Sequence, residues 1–158
     1  MGNYAFIDSQ NLNLGTRDIG WKLDYTKFRI FLAEKYQVKK AYIFIGFIEA
    51  NQELYDRLHR SGFDLKFKPT MPDSHGKNKG NVDADLVLQT MIDLSLYDKA
   101  VIVSSDGDFY SLVNYLFAQD KLEAVISPDV KKCSSLLKQS ARDKIWFLNE
   151  LREILEYK

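Results

Sequence analysis

The acids of this chain fall where two apolar runs stop. Tyr4-Ala5-Phe6-Ile7 runs directly into Asp8, and Ala100-Val101-Ile102-Val103 passes through Ser104-Ser105 into Asp106-Gly107-Asp108. Short continuous apolar runs of this kind are what strands buried on both faces look like in a parallel sheet. If the two runs are neighbours, their carboxyl ends bring several acids to one crevice, and such a crevice holds a divalent cation. A third acidic pair, Asp83 and Asp85, follows the stretch Gly76-Lys77-Asn78-Lys79-Gly80-Asn81.

Strand-like and helix-like segments alternate along the rest of the chain. After the first strand, Tyr4 to Asp8, a polar loop is expected from Ser9 to Gly20. A helix follows from Asp24 to Tyr36, where Phe28, Phe31, Leu32 and Tyr36 recur at the spacing of one buried face. Ala41 to Ile45 is the second strand, and Asn51 to Arg60 a helix closed by Ser61-Gly62. Phe63 to Phe67 alternates apolar and polar residues, as a half-exposed edge strand does. Pro69 to Asn81, with its prolines and glycines, predicts a mobile loop.

Val82 to Leu96 reads as a helix with Ala84, Leu88, Met91, Ile92 and Ser95 on one face. Lys99 to Ser104 is a central strand, Asp108 to Gln119 a helix, and Glu123 to Ser127 a fifth strand. The tail reads as helix from Lys131 to Ala141, a short sixth strand from Lys144 to Phe147, and a last helix from Leu148 to Glu156. This alternation implies an α/β fold, a mainly parallel sheet with helices on both faces. The ligand crevice of such a sheet lies beyond the strand carboxyl ends, where the strand order reverses. The order 3-2-1-4-5 sets the first and fourth strands side by side, so that Asp8 faces Asp106.

The chain's 158 residues make one domain, 1–158, with enough apolar content (46%) for a single buried core. Its 22 basic residues balance 22 acidic ones, so any nucleic-acid site must be a local patch. The lone Cys133 forms no internal disulfide, no apolar stretch reaches the length of a membrane span, and the N-terminus lacks a signal-peptide pattern. A cytoplasmic protein with no membrane partner is expected.

Crowded carboxylates repel. At an effective dielectric near 20, two charges about 5 Å apart cost roughly 3 kcal/mol. Protons, nearby cations or a metal must offset this. Hard oxygen donors without His or Cys neighbours suit Mg²⁺ or Mn²⁺ better than Zn²⁺, and a carboxylate-held metal serves phosphodiester hydrolysis. Each acid also has a plainer reading. Asp8 could cap a turn, Asp106 and Asp108 could cap the following helix, and Asp83 could compensate a helix dipole. Asp85, two residues on, points to a different face and reads as solvated or as support to the site. Asn11, Lys77, Lys79, Ser104 and Ser105 are candidate substrate contacts, while Arg57, Arg60, Lys66 and Lys68 read as a solvated face.

Other chemistries are disfavoured. There is no G-x-G-x-x-G after the first strand, no Walker A loop and no G-x-S-x-G elbow, and Gln10 stands where an aspartyl-nucleophile phosphatase needs an acid.

Three segments together resemble a known family. Phe6-Ile7-Asp8-Ser9-Gln10-Asn11, Lys79-Gly80-Asn81-Val82-Asp83-Ala84-Asp85-Leu86 and Val103-Ser104-Ser105-Asp106-Gly107-Asp108-Phe109 are similar to the three signatures of NYN domains. The similarity points to the LabA-like (DUF88) branch of the PIN-like nuclease superfamily. The resemblance implies a Rossmann-like PIN fold and a metal-dependent ribonuclease site, with Asp8, Asp83, Asp106 and Asp108 as the acidic cluster, Asn11 beside it and Lys79 near an RNA substrate. The chain departs from the pattern at Ser9-Gln10, at Ser104-Ser105, and at Gln89, where some relatives carry a further acid. An RNA-binding module with little turnover is the alternative. A self-associating homo-oligomer, joined through aromatics such as Trp21, Tyr25, Trp146 and Tyr157, is a third reading.

Overall fold

The computed structural model of the chain describes residues 1–69, 71–72, 78–79 and 82–158. In chain order the elements are β1 (Asn3–Asp8), α1 (Ser9–Asp18), α2 (Tyr25–Tyr36), β2 (Val38–Phe47), α3 (Gln52–Arg60), β3 (Asp64–Pro69), β4 (Met71–Pro72), β5 (Asn78–Lys79), α4 (Asp83–Ile92), β6 (Ala100–Val103), α5 (Tyr110–Ala118), β7 (Leu122–Ser127), α6 (Ser135–Ala141), β8 (Ile145–Phe147) and α7 (Arg152–Leu155). Six strands form one sheet in the order β3-β2-β1-β6-β7-β8, and every pairing in it is parallel. Leaving aside the two-residue antiparallel ribbon β4–β5, this is the expected 3-2-1-4-5 order with the sixth strand added at the β7 edge.

Alternation along β1 sends its side chains to two separate cores. Ala5 and Ile7 join Ile43, Val101 and Val103 against Phe28 and Leu32 of α2. Phe6 joins Phe44 and Ile102 against Leu86 of α4 and Leu112, Val113 and Leu116 of α5. Both faces are therefore dry, which is why the central strands carry no polar alternation. Among the described residues no helix is long and apolar enough to cross a membrane.

The segment expected as a polar loop from Ser9 to Gly20 is instead the helix α1. Asp8 accepts from the Asn11 backbone N–H at 3.2 Å, which caps the helix start. Leu12 is buried beneath the first core, and the Thr16 hydroxyl donates to the Leu12 carbonyl. Among the described residues, the buried side chains of α1 are Leu12 and the polar Ser9 and Thr16, a face with no apolar repeat to read. Gly15 further lowers its helical propensity, but the glycine has a packing reason. A Cβ at this position would stand 2.3 Å from the Pro128 Cβ.

α4 also differs from expectation. It ends at Ile92, and it buries Leu86 and Thr90. Leu88 and Ile92, on the face expected inward, are 59% and 61% exposed. The helix is rotated so that Val82 and Leu86 meet the sheet, and the Thr90 hydroxyl bonds back to the Leu86 carbonyl at 2.8 Å. Trp21, counted among interface aromatics, is a core residue at 6% exposure. The mobile loop expected from Pro69 to Asn81 lies outside the described residues apart from Pro69 and the β4–β5 ribbon.

Gly15→Ala should destabilise the fold. Overpacking costs about 1–3 kcal/mol, which outweighs a helix-propensity gain of about 1 kcal/mol. Urea unfolding checks the sign, and a more stable variant would show that α1 can retreat from Pro128.

Candidate metal centre

Three acids from three distant segments meet at the carboxyl edge of the sheet. Asp8 is the last residue of β1, Asp83 the first of α4, and Asp106 follows β6 by way of Ser104 and Ser105. One carboxylate oxygen from each lies within 4.8 Å of the other two. The register explains the first convergence. β1 pairs with β6 from Tyr4 opposite Ala100 to Ile7 opposite Val103, so Asp8 and Ser104 are the next residues on adjacent strands. α4 lies against β1 and carries Asp83 to the same crevice.

A hydrogen-bond network holds the acids. The Ser104 hydroxyl donates to Asp8 Oδ2 at 3.2 Å and accepts from the Asp106 backbone N–H at 3.0 Å. Asn11 Oδ1 accepts from the Ser105 backbone N–H at 2.8 Å, tying α1 to the loop after β6. The Ser105 and Ser127 hydroxyls share a bond of 2.7 Å. Asp106 Oδ1 accepts from the Asp108 backbone N–H at 2.9 Å, which folds Gly107–Phe109 into a turn of 3₁₀ helix. Gly107 is required there, because a Cβ would lie 2.4 Å from the Ser134 Oγ. Each carboxylate oxygen of Asp8 keeps a lone pair beyond its protein bond.

Burial and mutual repulsion show in the acidities. Desolvation raises Asp8 above the ordinary carboxylate range, aided by the Asp106 charge and opposed by the bonds from Asn11 and Ser104. Asp83 is pushed up to about 7, first by burial, then by the charges of Asp8 and Asp106, by a hydrogen bond with Asp106, and by Asp108. Without a cation, Asp83 therefore tends to keep its proton toward neutral pH. All the donors are hard oxygens, and they bear more negative charge than the crevice tolerates alone. That combination fits Mg²⁺ or Mn²⁺.

Other expected site residues fall around this core. Asp108 is exposed and outside the three-carboxylate group, though its charge reaches Asp83. Asp85 is exposed on α4. Ser104 and Ser105, expected at the substrate, are buried with both hydroxyls turned inward onto protein partners. Asn11 likewise spends its amide oxygen on the loop. Lys79 stands in the ribbon opposite Met71, and Lys77 lies outside the described residues. Two supports had escaped the sequence reading. Ser127 backs Ser105, and Ser134 caps α6 by accepting from the Leu137 N–H while its own N–H donates to the Ser105 carbonyl. A serine just before the apolar pair Leu136-Leu137 was the available signal for the second.

The raised Asp83 acidity links stability to pH. The folded chain holds a proton that the unfolded chain has released between about pH 4 and pH 7, so metal-free stability falls as pH rises through that window. Asp83→Asn in the presence of a chelator should flatten this slope and raise the melting temperature at pH 8 by about 3 °C, as expected for roughly 1 kcal/mol of solvent-screened repulsion in a chain of this size. Thermal scans from pH 4 to pH 8 decide it, and a lower melting temperature at pH 8 would contradict the repulsion.

Comparison with known proteins agrees with this frame. The NYN domain family model matches residues 4–148. Low amplitude and bright protein LabA of Synechococcus elongatus is 25% identical over 162 residues, covering 96% of this chain and 86% of that protein. The crystal structure of a protein of unknown function from Vibrio parahaemolyticus superposes with a TM-score of 0.78 at 23% identity, covering 98% of this chain and 96% of the other. The family match runs from β1 past the end of β8 and includes all three clustered aspartates, so this chain belongs to the NYN domain family.

Proposed function

We propose that this NYN domain protein is an endoribonuclease that hydrolyses RNA phosphodiester bonds with Mg²⁺ or Mn²⁺ held by Asp8, Asp83 and Asp106. The observation that carries the reading is the approach of three carboxylates to within 4.8 Å, from β1, α4 and the loop after β6. A structural role for the group is a poor account of it. Only mutual repulsion results unless something positive is placed among them. When bound, the cation supplies Lewis-acid polarisation of a phosphoryl oxygen and an activated water nucleophile.

The chain's own residues set up that chemistry. Ser104 fixes Asp8 and the start of the Asp106 loop with one hydroxyl. The Asp108 N–H orients the Asp106 carboxylate. Asp83 gives up its proton when the cation enters. We assign Asp108 to the exposed rim, where its charge adds to the field on the cation, and Ser104, Ser105 and Asn11 to positioning the acids. Lys79 is assigned to the RNA backbone. Neutral Gln89 on α4, where a fourth acid could stand, favours a second reading in which the crevice binds metal and RNA but turns over slowly.

Asp8→Asn and Asp106→Asn should each abolish Mn²⁺-dependent RNA cleavage while leaving the fold intact, since Asn also caps helices. Cleavage assays with circular dichroism as the folding control test this, and equal activity in wild type and both variants would remove the nuclease reading. Mn²⁺ bound without any cleavage would instead favour the binding module.

Cation binding must also expel the Asp83 proton. Mn²⁺ affinity should rise roughly tenfold per pH unit between pH 5.5 and about 7, then level off, as one proton released per ion requires. Calorimetric titration at several pH values would show this, and a flat profile would mean that Asp83 is not a ligand.

A further inference from the structure

A groove of about 960 Å³ opens beside the acidic crevice, at the upper end of the about 300–1,000 Å³ range of ligand sites. It is continuous with the crevice. Ser9 and Gln10, which follow Asp8, and Val82, which precedes Asp83, line the groove and are its chain links to the crevice. Its floor is the end of β2, Phe44 to Gly46, and Phe44 pairs with Asp8 across the sheet. One wall is the segment Trp21–Thr26, held against the C-terminal residues by the bonds Asp24 N–H to the Leu155 carbonyl and Tyr157 N–H to the Lys22 carbonyl, both 2.8 Å. The opposite wall is α3, and the bond of 2.7 Å between the Thr26 and Ser61 hydroxyls joins the two walls.

The chemistry of this groove is the reverse of the crevice. Leu54, Leu58 and Trp21 make it apolar, and Gln10 and Asn51 add amides that can both donate and accept. Among the described residues one acid lines it, Asp24, and its carboxylate accepts from the Lys27 backbone N–H as the cap of α2, and two cations line it, Lys22 and Arg57. The Lys22 ammonium rests 4.7 Å from the centre of the Tyr157 ring. Arg57 is exposed and forms no ion pair among the described residues. Tyr157 is 54% exposed, so part of its ring is open to solvent at the groove beside the Lys22 ammonium.

We propose that this groove is a nucleobase subsite, which takes one unstacked base of single-stranded RNA while the adjoining phosphodiester lies at Asp8, Asp83 and Asp106. The inference rests on the phosphodiester reading of the crevice and adds the form of the substrate. A flat heteroaromatic ring with donors and acceptors on its edge fits apolar walls that carry two amides. Stacking on Tyr157 is indifferent to base identity. The next phosphate along the strand meets Lys22 and Arg57. A base paired within a duplex cannot enter a walled groove without leaving its stack, so the groove selects single strands.

The test uses Trp21 as the reporter. The chain has two tryptophans, and Trp146→Phe, on β8 at the far side of the sheet, leaves Trp21 alone. In a Trp146→Phe, Asp106→Asn protein, adenosine 5′-monophosphate and single-stranded oligoadenylate should quench Trp21 emission, whereas ribose 5-phosphate should not. Arg57→Ala and Gln10→Ala, both at exposed positions, should weaken oligoadenylate binding, Arg57→Ala by about tenfold for the loss of a charge-assisted contact. Quenching by ribose 5-phosphate equal to that by the nucleotide, or no quenching at all, overturns the inference. So does duplex RNA binding as tightly as the single strand. Metal-dependent cleavage whose KM is unchanged by Arg57→Ala and Gln10→Ala sinks the groove and leaves the nuclease reading standing. Base-dependent quenching in a wild-type protein that cleaves nothing does the opposite.

Discussion

The parallel pairing of β1 with β6 is the constraint on which the rest of this molecule depends. Ile7 opposite Val103 is the last pair of β1 with β6, so Asp8 and Ser104 are the next residue on each. The Ser104 hydroxyl then donates to Asp8 and accepts from the Asp106 N–H, so a single oxygen sets the spacing of two like charges. Because side chains alternate along a strand, a slip of one residue would turn Asp8 into the first core and break the group. The apolar runs on both sides of the sheet make such a slip costly, and the buried residues of β1 thereby hold the site in place.

Asp8 serves two structures at once. One oxygen accepts from the Asn11 N–H and starts α1, and the other accepts from Ser104. α1 in turn returns Asn11 to the loop after β6 through the Ser105 N–H. The crevice is thus closed by a ring of bonds running Asp8, Asn11, Ser105, Asp106, Ser104 and back to Asp8. Asp83 is half-buried beside the two charges this ring holds, and its own desolvation followed by those charges pushes its acidity up to about 7. A cation placed among the acids would relieve the same repulsion.

Much of this was legible in the chain, and the misses have physical causes. The doubly wound sheet, its strand order and the meeting of Asp8 with Asp106 followed from where apolar runs end in carboxylates, and the NYN resemblance added Asp83. α1 did not, because a ten-residue helix anchored through Leu12 and made close to Pro128 by Gly15 carries almost no periodic signal. The face of α4 was misjudged because Leu88, Met91 and Ile92 outnumber Leu86 and Thr90, yet it is Val82, Leu86 and Thr90 that pack inward. Ser104 and Ser105 looked like groups for a ligand. Burial turned them into groups for the acids.

Local order along the chain determined that there would be a parallel sheet with carboxylates at its carboxyl edge, since strand length, apolar content and the position of each acid are one-dimensional properties. The distance between Asp8, Asp83 and Asp106, the inward turn of the serines and the groove beneath Trp21 and α3 belong to the tertiary structure. They arise where segments far apart in sequence are packed together. Pairing register, helix rotation and desolvation act only between such segments, and no pattern within any one of them encodes the result.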